Sequence, residues 1–251
     1  MTNESTTERI DYLPGQALQI IQSDDTFALS TDTMFLGHFT HVRAPQNQRV
    51  LDFCTGTGAL PLLLSTKTAG QIEGIELQPK LADMATRSVA LNGLSDQIHI
   101  RTGNITEAKN WYPINSIDVI TCNPPYFKRY PHSTLNPNSQ KALARHEVAM
   151  TLADVFDQAK VLLRDKGKLC LVHRPERLSE MQQLAQQYGF SLKRLGLIYP
   201  RAGAEANTIL VEFMKHGKDN GLKILPPIIV YDENNHYTKQ TQAIFYGEND
   251  A

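Results

Sequence analysis

The chain is poor in cysteine. Only Cys54, Cys122 and Cys170 occur among 251 residues, and no two are close enough to make a CxxC pair. That excludes a disulfide framework and a zinc ribbon. No apolar run approaches the ~20 residues needed to span a bilayer. The opening stretch from Met1 to Arg9 is polar and has no apolar signal core, which argues against export and for a cytoplasmic location. Charge of one sign is also scarce: the net charge is −1, which excludes a uniformly basic nucleic-acid coat and leaves room for a local basic patch. There is no internal repeat and no low-complexity tract. No His, Asp or Glu spacing resembles a metal site, since His146-Glu147 lacks the second histidine of a zinc motif.

Hydrophobic residues make up 41% of the chain, enough to build one large core. Ser23-Asp24-Asp25 between the apolar runs of Leu18 to Leu29 predicts a small hairpin. Ser30-Thr31-Asp32 then reads as a helix start, with Met34, Phe35, Phe39 and Val42 following at helical spacing. After Pro45, short apolar strands alternate with helical stretches. The strands are Val50–Cys54, Gln71–Glu76, Gln97–Arg101, Ile117–Cys122, Lys168–His173, Leu192–Tyr199 and Thr208–Lys215. The helices between them run over about Gly58–Lys67, Pro79–Asn92, Leu152–Arg164 and Glu176–Tyr188. Such alternation predicts an α/β fold: a seven-stranded, mostly parallel sheet with an antiparallel edge strand and helices on both faces. The expected divisions are an N-terminal hairpin and helix over residues 1–45, a core over 46–216 and a C-terminal tail over 217–251 packed on or beside it.

Two turns carry chemistry. The first, Asp52-Phe53-Cys54-Thr55-Gly56-Thr57-Gly58, leaves the first strong strand and enters a helix. Its glycines allow backbone conformations closed to other residues and let a ligand approach. The helix beyond offers N–H groups and a positive dipole end. Glu76, ending the next strand, can accept both hydroxyls of a ribose. A dinucleotide would call for a third glycine where Pro61 stands, and Asp52 could hold an amino group or order a water. The turn therefore fits a nucleoside carrying an amino acid better than a pyrophosphate. A valine at Gly58 is expected to crowd such a ligand.

The second turn is Asn123-Pro124-Pro125-Tyr126, directly after the strand Ile117–Cys122. In an open α/β sheet, ligands sit beyond the carboxyl ends of the strands, which places this tetrapeptide beside the glycine turn. The Asn123 side-chain oxygen and the Pro124 carbonyl could accept both hydrogens of a planar amino group and expose its lone pair. Tyr126 supplies a face for stacking a flat base or amide.

Together the two turns resemble those of class I S-adenosylmethionine-dependent methyltransferases of the amino-methylating kind. The resemblance spans roughly residues 16–216. It implies a Rossmann-like fold, S-adenosylmethionine as cofactor, and methyl transfer to nitrogen by in-line displacement. It assigns Asp52, Cys54, Gly56, Gly58, Glu76, Asn104 and Ile105 to the cofactor, Glu76 at its ribose and Asn104 and Ile105 at its adenine. It assigns Asn123, Pro124 and Tyr126 to catalysis. The front end, Leu18–Gln22 with Phe27–Asp32, and the back end, Pro226–Asp232 with Tyr237-Thr238, are further similar to bacterial valine-tRNA adenine-N6 methyltransferases. That narrower likeness implies tRNA as partner and the adenine 3′ of the anticodon as target.

From Val119 to His146 there is no Asp or Glu. Lys128, Arg129, Lys141 and Arg145 there, interleaved with Phe127 and Tyr130, suit an unstacked RNA segment. With Pro125 they form the expected substrate surface. The same tetrapeptide also serves protein-glutamine methyltransferases. Those usually carry a longer helical front domain than the 49 residues that precede Val50 here. A non-catalytic RNA-binding module is the other alternative, and the intact Asn123–Tyr126 turn argues against it.

Overall fold

A computed structural model describes residues 8–24, 26, 29–44, 47–124 and 150–247. Its centre is a nine-stranded sheet. In chain order the strands are β3 (Arg49–Phe53), β4 (Gln71–Glu76), β5 (Ile98–Thr102), β6 (Ile117–Cys122), β7 (Leu163–His173), β8 (Phe190–Arg201), β9 (Thr208–Lys215), β10 (Lys223–Ile224) and β11 (Ile228–Tyr231). They are arranged β10-β8-β9-β7-β6-β3-β4-β5, with β11 also pairing β8. All neighbours are parallel except β9, which runs antiparallel to both β7 and β8.

All seven expected strands are present. The antiparallel member, β9, lies inside the edge rather than at it, because β8 folds back outside β9. The tail then adds β10 and β11 along the outer side of β8. Two and four residues long, they have no room for the alternation that marks a strand.

Alternate residues of each strand feed two apolar layers. Leu51, Phe53, Ile120, Leu169, Leu171, Val211 and Phe213 face one layer. Two helices cover it: α4 (Leu152–Leu162), with Val155, Phe156 and Ala159, and α5 (Leu178–Tyr188), with Met181 and Ala185. Val50, Val119, Cys170, Val172 and Leu210 face the other layer. There they meet α1 (Thr31–Phe39), α2 (Ala59–Ser65), α3 (Pro79–Leu91) and α6 (Lys239–Tyr246). α3 shows why such segments are helical. Pro79 stands in its first turn, and Leu81, Met84, Ala85, Ser88 and Val89 are buried at helical spacing. α4 opens on a reciprocal cap between Thr151 and Asp154.

The front hairpin exists, built from other residues than expected. β1 (Glu8–Tyr12) pairs antiparallel with β2 (Gln19–Ser23), and the turn lies at Leu13–Leu18 instead of Ser23–Asp25. Glu8 and Arg9, in the polar opening stretch, begin β1: they pair in register with Ser23 and Gln22 of β2, and exposed ion pairs join Arg9 to Asp11 and Asp24 and Glu8 to Arg87 of α3. The hairpin lies against α3, where the Ile21 N–H donates to Ser88 Oγ at 2.9 Å. Its turn reaches the other end of the chain. Gly15 (φ +67°) sits so close to α6 that a Cβ there would stand 2.3 Å from Tyr246 Cα.

Candidate active site

β3, β4, β5, β6 and β7 are mutually parallel, so their carboxyl ends open onto one side of the molecule. β3 runs into the glycine turn. Gly56 (φ +57°) and Gly58 (φ +89°) hold left-handed conformations, and Cys54, with φ 61°, does so without being glycine. Cys54 is therefore a bend residue just past β3 rather than the strand residue expected. It is partly exposed, while Cys122 and Cys170 are buried in β6 and β7. Burial, with Cys54 beside it, pushes the Cys122 thiol up. A Cβ on Gly56 would meet nothing within 4 Å, so the turn is open on that side. At Gly58 a Cβ would lie 3.2 Å from Ala85 Cβ of α3. The left-handed backbone and the neighbouring helix thus both call for glycine at Gly58, whatever a bound ligand adds.

Glu76, at the end of β4, braces the turn. Its Oε2 accepts the Gly56 N–H at 2.8 Å and its Oε1 accepts the Gln78 N–H at 2.9 Å. Its carboxylate is thereby fixed beside the glycines while only 5% exposed. Asp52 lies one layer deeper. Thr55 Oγ1 donates to its Oδ2 at 2.7 Å and Thr121 Oγ1, from β6, to its Oδ1 at 2.6 Å. Burial pushes the Asp52 carboxyl up to about 7, against the pull of those two hydrogen bonds, and nearby Glu76 adds to the rise. On the outer side, Asn104 caps the short 3-10 helix Ile105–Asn110 by accepting the Thr106 N–H at 3.0 Å, and Ile105 is buried beneath. Trp111 lies against Gly103 with Arg101 over its ring at 5.1 Å.

Asn123 and Pro124 follow β6 directly, on the strand next to the glycine turn. Asn123 Nδ2 donates to Thr33 Oγ1 at 2.9 Å and to Ser30 Oγ at 3.3 Å. Pro125, Tyr126, Phe127, Lys128, Arg129, Lys141 and Arg145 lie outside the described residues. The remaining candidates (Asp52, Cys54, Gly56, Gly58, Glu76, Asn104, Ile105, Asn123 and Pro124) are therefore gathered at the carboxyl ends of four adjacent strands.

Residues 29–191 match a family model described as the methyltransferase small domain. The chain belongs to that family. It is also similar to a tRNA1(Val) (adenine(37)-N6)-methyltransferase from Tolumonas auensis, 30% identical over 185 residues, covering 73% of this chain and 74% of that protein. A protein of the same description from Porphyromonas gingivalis is 29% identical over 208 residues, covering 81% and 80%. Among solved structures, a predicted O-methyltransferase from Agrobacterium tumefaciens has the same fold, with a TM-score of 0.69 at 20% identity over 88% of this chain and 98% of that one.

Several side chains of this methyltransferase site escaped the sequence reading. Thr55 and Thr121 hold Asp52, and Ser30 and Thr33 hold Asn123. The first pair is foreshadowed only by polar residues in apolar surroundings. The second shows as a helix cap, with no hint of its long-range partner. His173, which ends the strand β7 beside β6, is buried. Burial first, and then Arg177, lowers its pKa to about 4, so its ring is neutral. Its Nδ1 accepts the Arg174 N–H at 2.7 Å, which leaves the ring proton on Nε2. Among the described residues no helix is long and apolar enough to cross a membrane, and no group of three or more His, Cys, Asp or Glu could hold a metal ion.

Proposed function

We propose that this methyltransferase uses S-adenosylmethionine to methylate the exocyclic N6 of an adenine in tRNA, at the position 3′ of the anticodon of valine tRNA. The observation that carries the reading is the placement of Asn123-Pro124 on the strand adjoining a glycine turn braced by Glu76. The names of the relatives support the substrate.

The chain's residues fit the cofactor. The turn is open beside Gly56, and two buried acids, Asp52 and Glu76, suit a ligand with hydroxyl and cationic groups. Glu76 would take the ribose hydroxyls, Asp52 and the Cys54–Gly58 turn the amino-acid end, and Asn104 and Ile105 the adenine. When bound, the cofactor supplies an electrophilic methyl group on a sulfonium. Asn123 Oδ1 and the Pro124 carbonyl accept the two hydrogens of the target amine and free its lone pair, and Tyr126 stacks on the base. Positioning supplies most of the acceleration. The amine proton passes to solvent. Lys128, Arg129, Lys141 and Arg145 grip phosphates of the loop, with Pro125 and Phe127 shaping the pocket. An adenine must leave its stack to expose N6, which is cheapest in a single-stranded loop.

The test compares methyl transfer to bulk tRNA, a valine-tRNA anticodon arm, duplex DNA and a release-factor peptide. Activity on the arm, abolished when the adenine 3′ of the anticodon is guanine, is expected. Activity confined to the peptide would move the enzyme to glutamine methylation. Asn123→Ala is expected to lower turnover at least a hundredfold, on the order of the loss of one preorganised polar contact to the reacting group, with cofactor affinity nearly unchanged. Normal turnover in that variant would remove Asn123 from the mechanism.

A further inference from the structure

We infer that Thr33 and Ser30, at the start of α1, are positioning residues that set which way the Asn123 amide faces. The inference rests on the reading of Asn123 as the group that receives the target amine. A primary amide has one accepting and one donating end, nearly identical in shape. Only the oxygen can serve an amine that offers hydrogens. With the amide turned over, Nδ2 would face the N–H groups of the substrate, donor against donor.

The structure holds the productive orientation from outside the sheet. Asn123 Nδ2 donates to Thr33 Oγ1 at 2.9 Å and to Ser30 Oγ at 3.3 Å, across 90 and 93 residues of sequence. The two hydroxyls lie 3.0 Å apart, and the Thr33 N–H donates to Ser30 Oγ at 3.2 Å. When Ser30 gives its hydroxyl proton to Thr33, Ser30 Oγ keeps its two lone pairs for the Thr33 N–H and Asn123 Nδ2, and Thr33 Oγ1 accepts from Ser30 and from Asn123 Nδ2, so the pair selects the Nδ2 end. Ser30 has a second duty as the N-cap of α1. Thr33 is spared that duty, so its hydroxyl is the clean probe. The helix that carries both is itself anchored: Phe35, Leu36 and Phe39 are buried, and Phe35 packs on Phe245 of α6 with ring centroids 5.0 Å apart. The hydroxyl pair therefore stands on a fixed support.

The experiment compares Thr33→Val, which keeps shape and loses the hydroxyl, with Thr33→Ser, which keeps the hydroxyl. On whichever acceptor the wild type methylates, Thr33→Val is expected to lower kcat about tenfold to a hundredfold. KM and affinity for S-adenosylhomocysteine should stay within about twofold of wild type, and Thr33→Ser should recover most of the rate. An unchanged kcat, a loss confined to KM or cofactor affinity, or a serine variant as slow as the valine variant would each overturn the inference. A second readout is independent of turnover. In 15N spectra, the Asn123 side-chain NH2 pair, assigned by its disappearance in Asn123→Ala, should exchange slowly with water in wild type and Thr33→Ser and faster in Thr33→Val. Equal exchange in all three overturns the contact. Should the wild type methylate none of the four acceptors above, the substrate reading falls and the amide signal still decides the role of Thr33.

Discussion

Replacing Asp52 by asparagine should make the cofactor-free protein more stable at neutral and alkaline pH. Asp52 is 1% exposed, and its carboxyl is raised from 3.8 to about 7, chiefly by burial. A carboxyl whose folded pKa exceeds its unfolded value binds more protons in the folded state between those two values. Stability therefore falls as pH rises through that window and levels off above it. At ~1.4 kcal/mol for each tenfold change in proton activity, the cost of ionising Asp52 in the fold is on the order of 4 kcal/mol above pH 7. Asparagine has no such cost. It still accepts one of the two threonine hydroxyls, while the other can turn and accept from its amide, so the hydrogen-bond penalty should stay near 1 kcal/mol. Urea unfolding followed by circular dichroism, from pH 4 to pH 8, measures both proteins. The difference between them isolates Asp52 from other groups such as His173, whose lowered pKa acts with the opposite sign. The variant should be equal or slightly weaker near pH 4 and stronger by a few kcal/mol at pH 8. A constant difference across the range, or a variant weaker by more than about 2 kcal/mol at pH 8, refutes the buried-acid argument.

Two further outcomes test the glycine turn. Glu76→Ala removes both the proposed ribose partner and the acceptor of the Gly56 and Gln78 N–H groups. Calorimetry with S-adenosylhomocysteine should show affinity lower by about 1.5–3 kcal/mol, and unchanged affinity would displace Glu76 from the site. Gly58→Val combines a left-handed backbone with a Cβ 3.2 Å from Ala85, so it should cost about 3 kcal/mol and roughly 6–12 °C in Tm. An unchanged Tm with lost cofactor binding would show that valine crowds the ligand and spares α3.

What could be seen in the sequence was whatever leaves a local trace. The alternation of strand and helix after residue 46, Pro79 opening a helix and the Asn-Pro turn at the end of β6 all follow from neighbours in the chain. β1 left no such trace. Its five residues, Glu8-Arg9-Ile10-Asp11-Tyr12, are exposed or half-exposed along their whole length, so no buried face marks them as a strand. Placing β2 with Phe27–Leu29 was the natural local choice, overruled by ion pairs from Glu8 and Arg9 to distant residues. Within the site, the glycine turn and Asn123 were legible because each sits where a strand ends. The hydroxyls that orient Asn123 and Asp52 were hidden, since a threonine reads the same whether it faces water or a carboxylate. The order of β8 and β9 was ambiguous for a related reason. Both are apolar runs, and only the partners they choose decide which one reaches the edge.

The meeting of Gly15 with Tyr246 bears on how the enzyme is made. The segment bearing Ser30 and Thr33 leaves the ribosome well before its support. The helix that backs it, through Phe245 against Phe35, is synthesised more than two hundred residues later. At elongation rates of about 5–20 residues per second, that gap lasts on the order of ten seconds or more. Late in it, once His173 has emerged, β3 to β7 can assemble and bring the glycine turn beside Asn123, while α1 still lacks Phe245. Methylating competence should thus wait for α6, and a nascent chain stalled after β7 has emerged and before residue 239 would hold the parallel strands with the proposed catalytic amide incompletely supported.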